Sequence, residues 1–160
     1  MTKKYLEDYS VGEVFFSPAR TITETDIINF SGLTSDWHPL HTDVTYAEKS
    51  RFGQRIAHGM LVLSVGMAQL FRISPTTVLA EEFIAFYGMD KVRFLKPTFI
   101  GDTLKAKAEV IDIILKDKDA GVLLYDVTLS NQHDEAVTRF DMKFFVARRP
   151  TWYKHNAEVV

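Results

Sequence analysis

Two hydrophobic periodicities divide the chain. In the first half, apolar residues recur at helical spacing between polar loops, and in the second they run through long, partly alternating stretches. Residues 1–22 read as a lead-in followed by two extended pieces, Val14 to Phe16 and Arg20 to Ile22, broken by Pro18. Thr23, with Asp26 three positions later, has the form of a capping box. Ile27, Phe30 and Thr34 then share one helical face, which predicts a short helix to about Leu33. Pro39 biases His38 to extended backbone, so Trp37 to Leu40 is expected as a turn and not as helix. Asp43 is placed to cap a further short helix, Val44 to Lys49. Ala57-His58-Gly59 opens a longer helix, from about Met60 to Ile73, that Pro75 ends. Met60, Leu61, Leu63, Val65, Met67, Leu70 and Phe71 make it apolar on nearly every face, the pattern of a buried central helix.

After residue 80 the character changes. Phe83 to Tyr87, Lys91 to Leu95, Thr103 to Leu115, Gly121 to Gln132 and Ala136 to Ala147 read as strands. The alternation is uneven between Val122 and Ser130 and cleaner at Phe140, Met142, Phe144 and Val146. Residues 117–121 and 133–135 have hairpin-turn composition, so the long strands are expected to pair antiparallel. One apolar helix and one sheet with an apolar face cover each other, giving an α+β fold. A curved antiparallel sheet wrapped around a central apolar helix fits the hot-dog fold, a pattern shared with other α+β sandwiches.

Composition narrows the class. The chain has 160 residues, enough for one domain with a real core, expected over 1–150 with a polar tail at 151–160. A net charge of −2 argues against a nucleic-acid binder. The absence of cysteine excludes disulfides, thiolate catalysis and thiolate metal sites. MTKKYLEDYS has no apolar run that would make it a signal peptide, and no apolar stretch is long enough to span a bilayer. The expectation is a cytoplasmic protein without a membrane or nucleic-acid partner.

Candidate chemistry concentrates between Asp36 and Gly59, where three of the five histidines fall. Asp36 and His41 flank the Pro39 turn, and a carboxylate with an imidazole on one rigid loop can hold a water and move its protons. An Asp capping the turn and a His bonding to backbone would account for the same residues equally well. Gly59 stands at the start of the long helix, where free amides carry partial positive charge and a glycine admits a ligand oxygen. A packing glycine is the plainer alternative. Asp36, His38, His41, Asp43 and His58 are residue types that bind zinc or iron. Pro39 between His38 and His41 and the lack of an HExxH motif count against a metal. Ser64 lies in the helix without a Gly-x-Ser-x-Gly elbow, which disfavours a serine hydrolase. Arg51, Arg55, Lys91, Arg93 and Lys96 could meet phosphates of a carrier, although isolated charges are usually solvated surface.

The block Asp36-Trp37-His38-Pro39-Leu40-His41, then Ala47, Phe52-Gly53 and Ile56-Ala57-His58-Gly59-Met60-Leu61, resembles the MaoC-like dehydratases, or (R)-specific enoyl-CoA hydratases. Phe94-Leu95-Lys96-Pro97 and Gly101-Asp102 extend the likeness, which runs from about Tyr5 to Val146. The resemblance implies a hot-dog fold and a homodimer whose two sheets join. It also implies hydration of a trans-2-enoyl thioester to the (R)-3-hydroxyacyl product, or the reverse. Asp36 and His41 would handle the protons, and the Gly59 amide would hold the enolate oxygen. Trp37, His38, His58 and Ser64 are candidates for substrate contact, with Phe83, Phe86 and Tyr87 as further candidates for the pocket lining. No metal or redox cofactor is implied, and coenzyme A or acyl carrier protein is the substrate's handle. The commonest family form has Gly before the Asp and Asn two residues after it, where this chain has Ser35 and His38. A hot-dog thioesterase and a non-catalytic acyl-CoA-binding regulatory module are the alternative readings.

Overall fold

The computed structural model describes residues 3–72 and 78–150. A 3-10 turn at Leu6–Asp8 precedes two short strands, β1 (Val14–Phe16) and β2 (Arg20–Thr21). Four helices follow: α1 (Glu24–Thr34), α2 (Pro39–Thr42), α3 (Val44–Glu48) and α4 (Gly59–Leu70). Four long strands complete the chain: β3 (Phe83–Phe94), β4 (Thr103–Leu115), β5 (Ala120–Ser130) and β6 (Ala136–Ala147). With β1 and β2 they form a 6-stranded sheet in the order β1-β4-β5-β6-β3, β2 also pairing with β4. Every pairing is antiparallel. This sheet with α4 against it is the hot-dog arrangement.

Register explains the core. Ala108, Val127 and Phe140 pair across β4, β5 and β6, as do Val110, Tyr125 and Met142, and all six are buried. The small alanines on β4 leave room for the bulk carried by β5 and β6. Phe144 is 1% exposed and meets Phe83, Phe86 and Tyr125 edge-on, with ring centroids 5.5 to 5.9 Å away. On the opposite face, Glu109, Asp126, Asp141 and Asp90 fall in one cross-strand row. Like charges facing one another are unfavourable. Here cations interleave: Lys107 on Glu109 at 3.0 Å, Lys91 on Asp141 at 2.8 Å, Arg139 on Asp126 and Lys143 on Asp90.

The caps form as the sequence leads one to expect. The Thr23 hydroxyl accepts from the Asp26 amide at 3.3 Å, and Asp26 accepts from the Thr23 amide at 2.8 Å. The Asp43 side chain accepts from the Tyr46 amide at 3.0 Å and starts α3. Three expectations change. Trp37 and His38 are non-helical, but Pro39 opens a helical turn, because proline's fixed φ suits the first helical position. Residues 83–94 form one strand, not two; register shifts near Gly88 (φ +154°) and Lys91 (φ +52°) bend it without ending it. Helix α4 is not buried all round. Leu61, Val62, Leu63, Gly66 and Leu70 are buried, while Met60, Ser64 and Ala68 form an exposed stripe.

Gly66 sets the closeness of the helix to the sheet, since a Cβ there would lie 2.2 Å from the Leu129 side chain. Ile73 and Pro75, expected to finish the long helix, and the tail after Pro150 lie outside the described residues. No helix among the described residues is long and apolar enough to cross a membrane.

Candidate active site

Helix α1 ends on Ser35, whose backbone is left-handed (φ +62°, ψ +19°). That conformation is ordinary for glycine and strained for other residues. The reversal swings Asp36 back over the N-terminus of α4. The Asp36 carboxylate accepts from the His38 amide at 3.3 Å, closing a tight loop. His38 in turn caps α2, its Nδ1 accepting from the Leu40 amide at 3.1 Å. One turn on, His41 turns its ring inward and Nδ1–H donates to the Ile56 carbonyl at 2.8 Å. A carbonyl can only accept, so this bond fixes the tautomer and leaves the Nε2 lone pair free. The Ile56 amide returns a bond to the Leu40 carbonyl at 3.3 Å. Ile56 also bridges to Phe99, and the Ala57 amide donates to Thr98 at 2.8 Å. These bonds fasten the segment before α4 to the strand-end loop.

His58 is the N-cap residue of α4 and is 3% exposed. Its Nε2–H donates to the Asp36 carbonyl at 3.0 Å, with the Ser31 hydroxyl at 3.3 Å. Its ring stacks on His41 with centroids 3.8 Å apart and 29° between planes. Asp36, His41 and His58 each bring one donor atom to within 4.8 Å of the others. Stacked imidazoles direct their in-plane lone pairs side by side instead of toward one point. The arrangement therefore favours proton handling over cation ligation.

Burial pushes the His41 imidazole below its ordinary value of 6.5. The Ile56 bond opposes this, the neighbouring His58 adds to it, and the Asp36 carboxylate opposes it. A neutral ring with a free Nε2 is the state suited to accept a proton.

Helix α4 starts at Gly59 with no side chain capping its N-terminus. Asp36, His41, His58, Gly59, Met60, Ser64, Phe30 and Thr34 line one cavity of about 440 Å³. Gly59 also lines a second cavity of about 450 Å³, with Phe52, Ile56, Val62, Phe94 and Leu95 as apolar walls and Arg51 and Lys96 as cations. A Cβ on Gly59 would lie 3.0 Å from the Phe94 ring, so this glycine also permits close packing.

The family model described as MaoC like domain matches residues 10–132. The chain belongs to the MaoC-like family. Over 114 residues it is 36% identical to an (R)-specific enoyl-CoA hydratase of Rhodospirillum rubrum, covering 71% of this chain and 74% of that protein. It is 34% identical over 105 residues to protein MaoC of Klebsiella aerogenes, a match spanning 66% of this chain and 30% of that longer protein. Among solved structures, a monoamine oxidase regulatory protein from Archaeoglobus fulgius superimposes with a TM-score of 0.88 at 41% identity, over 94% of this chain and 98% of that one.

Of the residues singled out in this MaoC-like sequence, the fold gathers Asp36, His41, His58, Gly59 and Ser64 around one cavity. Ser64 donates to the Met60 carbonyl at 2.8 Å. Trp37 is 53% exposed and, like His38, lines neither cavity. Phe83 and Phe86 pack on Phe144, and Tyr87 stacks on Phe145, so none of the three lines either cavity. Ile56, Ser31 and Phe30 were not foreseen. Ile56 contributes a backbone carbonyl, which side-chain chemistry cannot reveal, while Ser31 and Phe30 lie on the same face of α1 as the buried Ile27.

Proposed function

We propose that this protein adds water across trans-2-enoyl-CoA to give the (R)-3-hydroxyacyl thioester, and catalyses the reverse elimination. The observation that carries the reading is the convergence of the Asp36 carboxylate and the His41 imidazole beside the uncapped start of α4 at Gly59. Water held between the two groups gives a proton to His41 Nε2, and its oxygen bonds to the β-carbon. The double-bond electrons shift toward the thioester carbonyl, whose oxygen becomes an enolate. The Gly59 amide, at the positive end of the helix, hydrogen-bonds that oxygen. The His41 imidazolium returns the proton to the α-carbon, so H and OH are added and the ring is neutral again. Asp36 orients the water and offsets the transient charge on His41.

The two cavities that share Gly59 suit the two arms of a thioester. Arg51 and Lys96 supply cations for the phosphates of a coenzyme A or carrier-protein handle. Edge strand β3 exposes Ile84, Phe86, Tyr87 and Phe94, and a long apolar edge of this kind invites pairing with a second strand. A homodimer through β3 is the assembly this supports.

The test is turnover of a short trans-2-enoyl-CoA by purified protein without added metal, with chiral analysis of the product. Asp36→Asn and His41→Ala should each lower kcat by at least about a hundredfold, the range expected for lost acid–base groups. Full activity in both variants defeats the proposal. Release of free thiol from an acyl-CoA in its place marks a thioesterase, and binding without turnover marks a regulatory module.

A further inference from the structure

His58 contacts Asp36 and His41 and precedes Gly59, yet has little surface left for a substrate. It is 3% exposed, one ring face lies on His41, and the Phe30 ring sits 5.0 Å away at 49°. Nε2 is committed to the Asp36 carbonyl, and Nδ1 is buried with no partner among the described residues. An unpaired buried lone pair is unfavourable, so a ring that accepts it is held for another reason. The reason is visible in what the ring touches. Asp36 sits on an exposed loop that follows a strained residue, and the His58 bond ties that loop to α4 across 22 positions of sequence. His41 is fixed at one nitrogen by Ile56, a bond that leaves the imidazole free to swing about that contact. The stacked ring removes that freedom. As N-cap of α4, His58 also sets where the Gly59 amide begins.

We propose that His58 is a positioning residue, holding Asp36 through its Nε2–H, His41 through its ring face and Gly59 through the backbone. The proposal rests on the hydratase reading for its kinetic consequence. The ring keeps the Nε2–H tautomer, because the Asp36 carbonyl at Nε2 can only accept and Nδ1 has no acceptor among the described residues. The titratable groups facing the pair are Asp36 and His38 from the preceding loop. Helix α1 presents Phe30, Ser31 and Thr34, and α4 presents Gly59, Met60 and Ser64, none of which titrates there.

Two variants separate the contacts. His58→Phe keeps an aromatic face against His41 and loses the donor to Asp36. His58→Gln keeps a donor at the Nε2 position and loses the stack. With trans-2-butenoyl-CoA as probe, each should lower kcat roughly 10- to 100-fold with KM within about twofold, the expected result of misplaced reacting groups. A raised KM at unchanged kcat makes His58 a substrate contact and overturns the proposal, as does full activity.

A wild-type protein without hydratase activity defeats the functional reading and not this one. Imidazole 15N shifts of His41 then decide: a changed tautomer balance or titration in His58→Phe or His58→Gln supports positioning, and identical shifts in both overturn it. Far-UV circular dichroism on each variant establishes that it is folded.

Discussion

The sheet and the helical segment before it are held together in opposite ways. Strands β4, β5 and β6 share ladders of ten and eleven residue pairs, each with a single register shift, and bury rows of side chains on every strand. No single contact there is decisive for geometry, because each side chain is placed by many neighbours. Between Ser35 and Gly59, the chain is placed by a few individual bonds: His38 to Leu40, His41 to Ile56, and His58 to Asp36. The sheet supplies stability through repetition, and the loop supplies position through specific bonds. Substitutions in the first region should therefore appear in unfolding experiments, and those in the second in kinetics.

The strongest test of that division is Phe144→Ala. Removing this buried ring should cost about 3–5 kcal/mol of stability, measured by denaturant unfolding, while the folded fraction keeps its KM. A loss below about 1 kcal/mol would show that the sheet core tolerates a cavity and would break the contrast. Next in size is His41→Ala, already expected to lose at least about a hundredfold in turnover, which corresponds to roughly 2.7 kcal/mol of barrier. Its stability should fall by only about 1 kcal/mol, the worth of its bond to Ile56. If unfolding and turnover losses were equal, His41 would be a structural residue.

His38 gives a finer test. His38→Ala removes the cap of α2 and should cost about 0.5–2 kcal/mol with a modest fall in kcat. His38→Asn should leave both nearly unchanged, because an amide oxygen can accept from the Leu40 amide as Nδ1 does. A large loss in the Asn variant would give the imidazole a role beyond capping.

The smallest effect concerns pH. Burial lowers His41 below 6.5, so the proton-accepting form persists into more acidic solution, and the acid limb of kcat/KM should fall below 6.5. The same shift lowers stability on the acid side. With the folded value below the unfolded one, the unfolded chain takes the proton first, so this contribution is present above the ordinary histidine value and declines as pH falls through that window. An acid limb at or above 6.5 would mean that His41 is solvated, contrary to its placement.

Local rules were enough for much of the architecture. The Thr23–Asp26 box, the Asp43 cap and the boundaries of β4 and β6 follow from short-range preferences that the tertiary fold did not override. The Asp–turn–His block and the His-Gly start of α4 marked the candidate site for the same reason: both are defined by residues close in sequence. Long-range contacts decided the rest. The apolar surplus on α4 suggested burial all round, yet the Met60–Ser64–Ala68 stripe is exposed, and a single helical pattern cannot say which faces the sheet will reach. Likewise, Gly88 and the run after it looked like a break between strands, and pairing with β6 carried the strand through. The His41 tautomer depends on a carbonyl fifteen positions away and the placement of Asp36 on a ring twenty-two positions away. Sequence determined which groups this protein could use, because side-chain chemistry and local geometry are written residue by residue. Only the tertiary structure decided which of them meet and in which protonation state, because burial and backbone partners are properties of the packed chain.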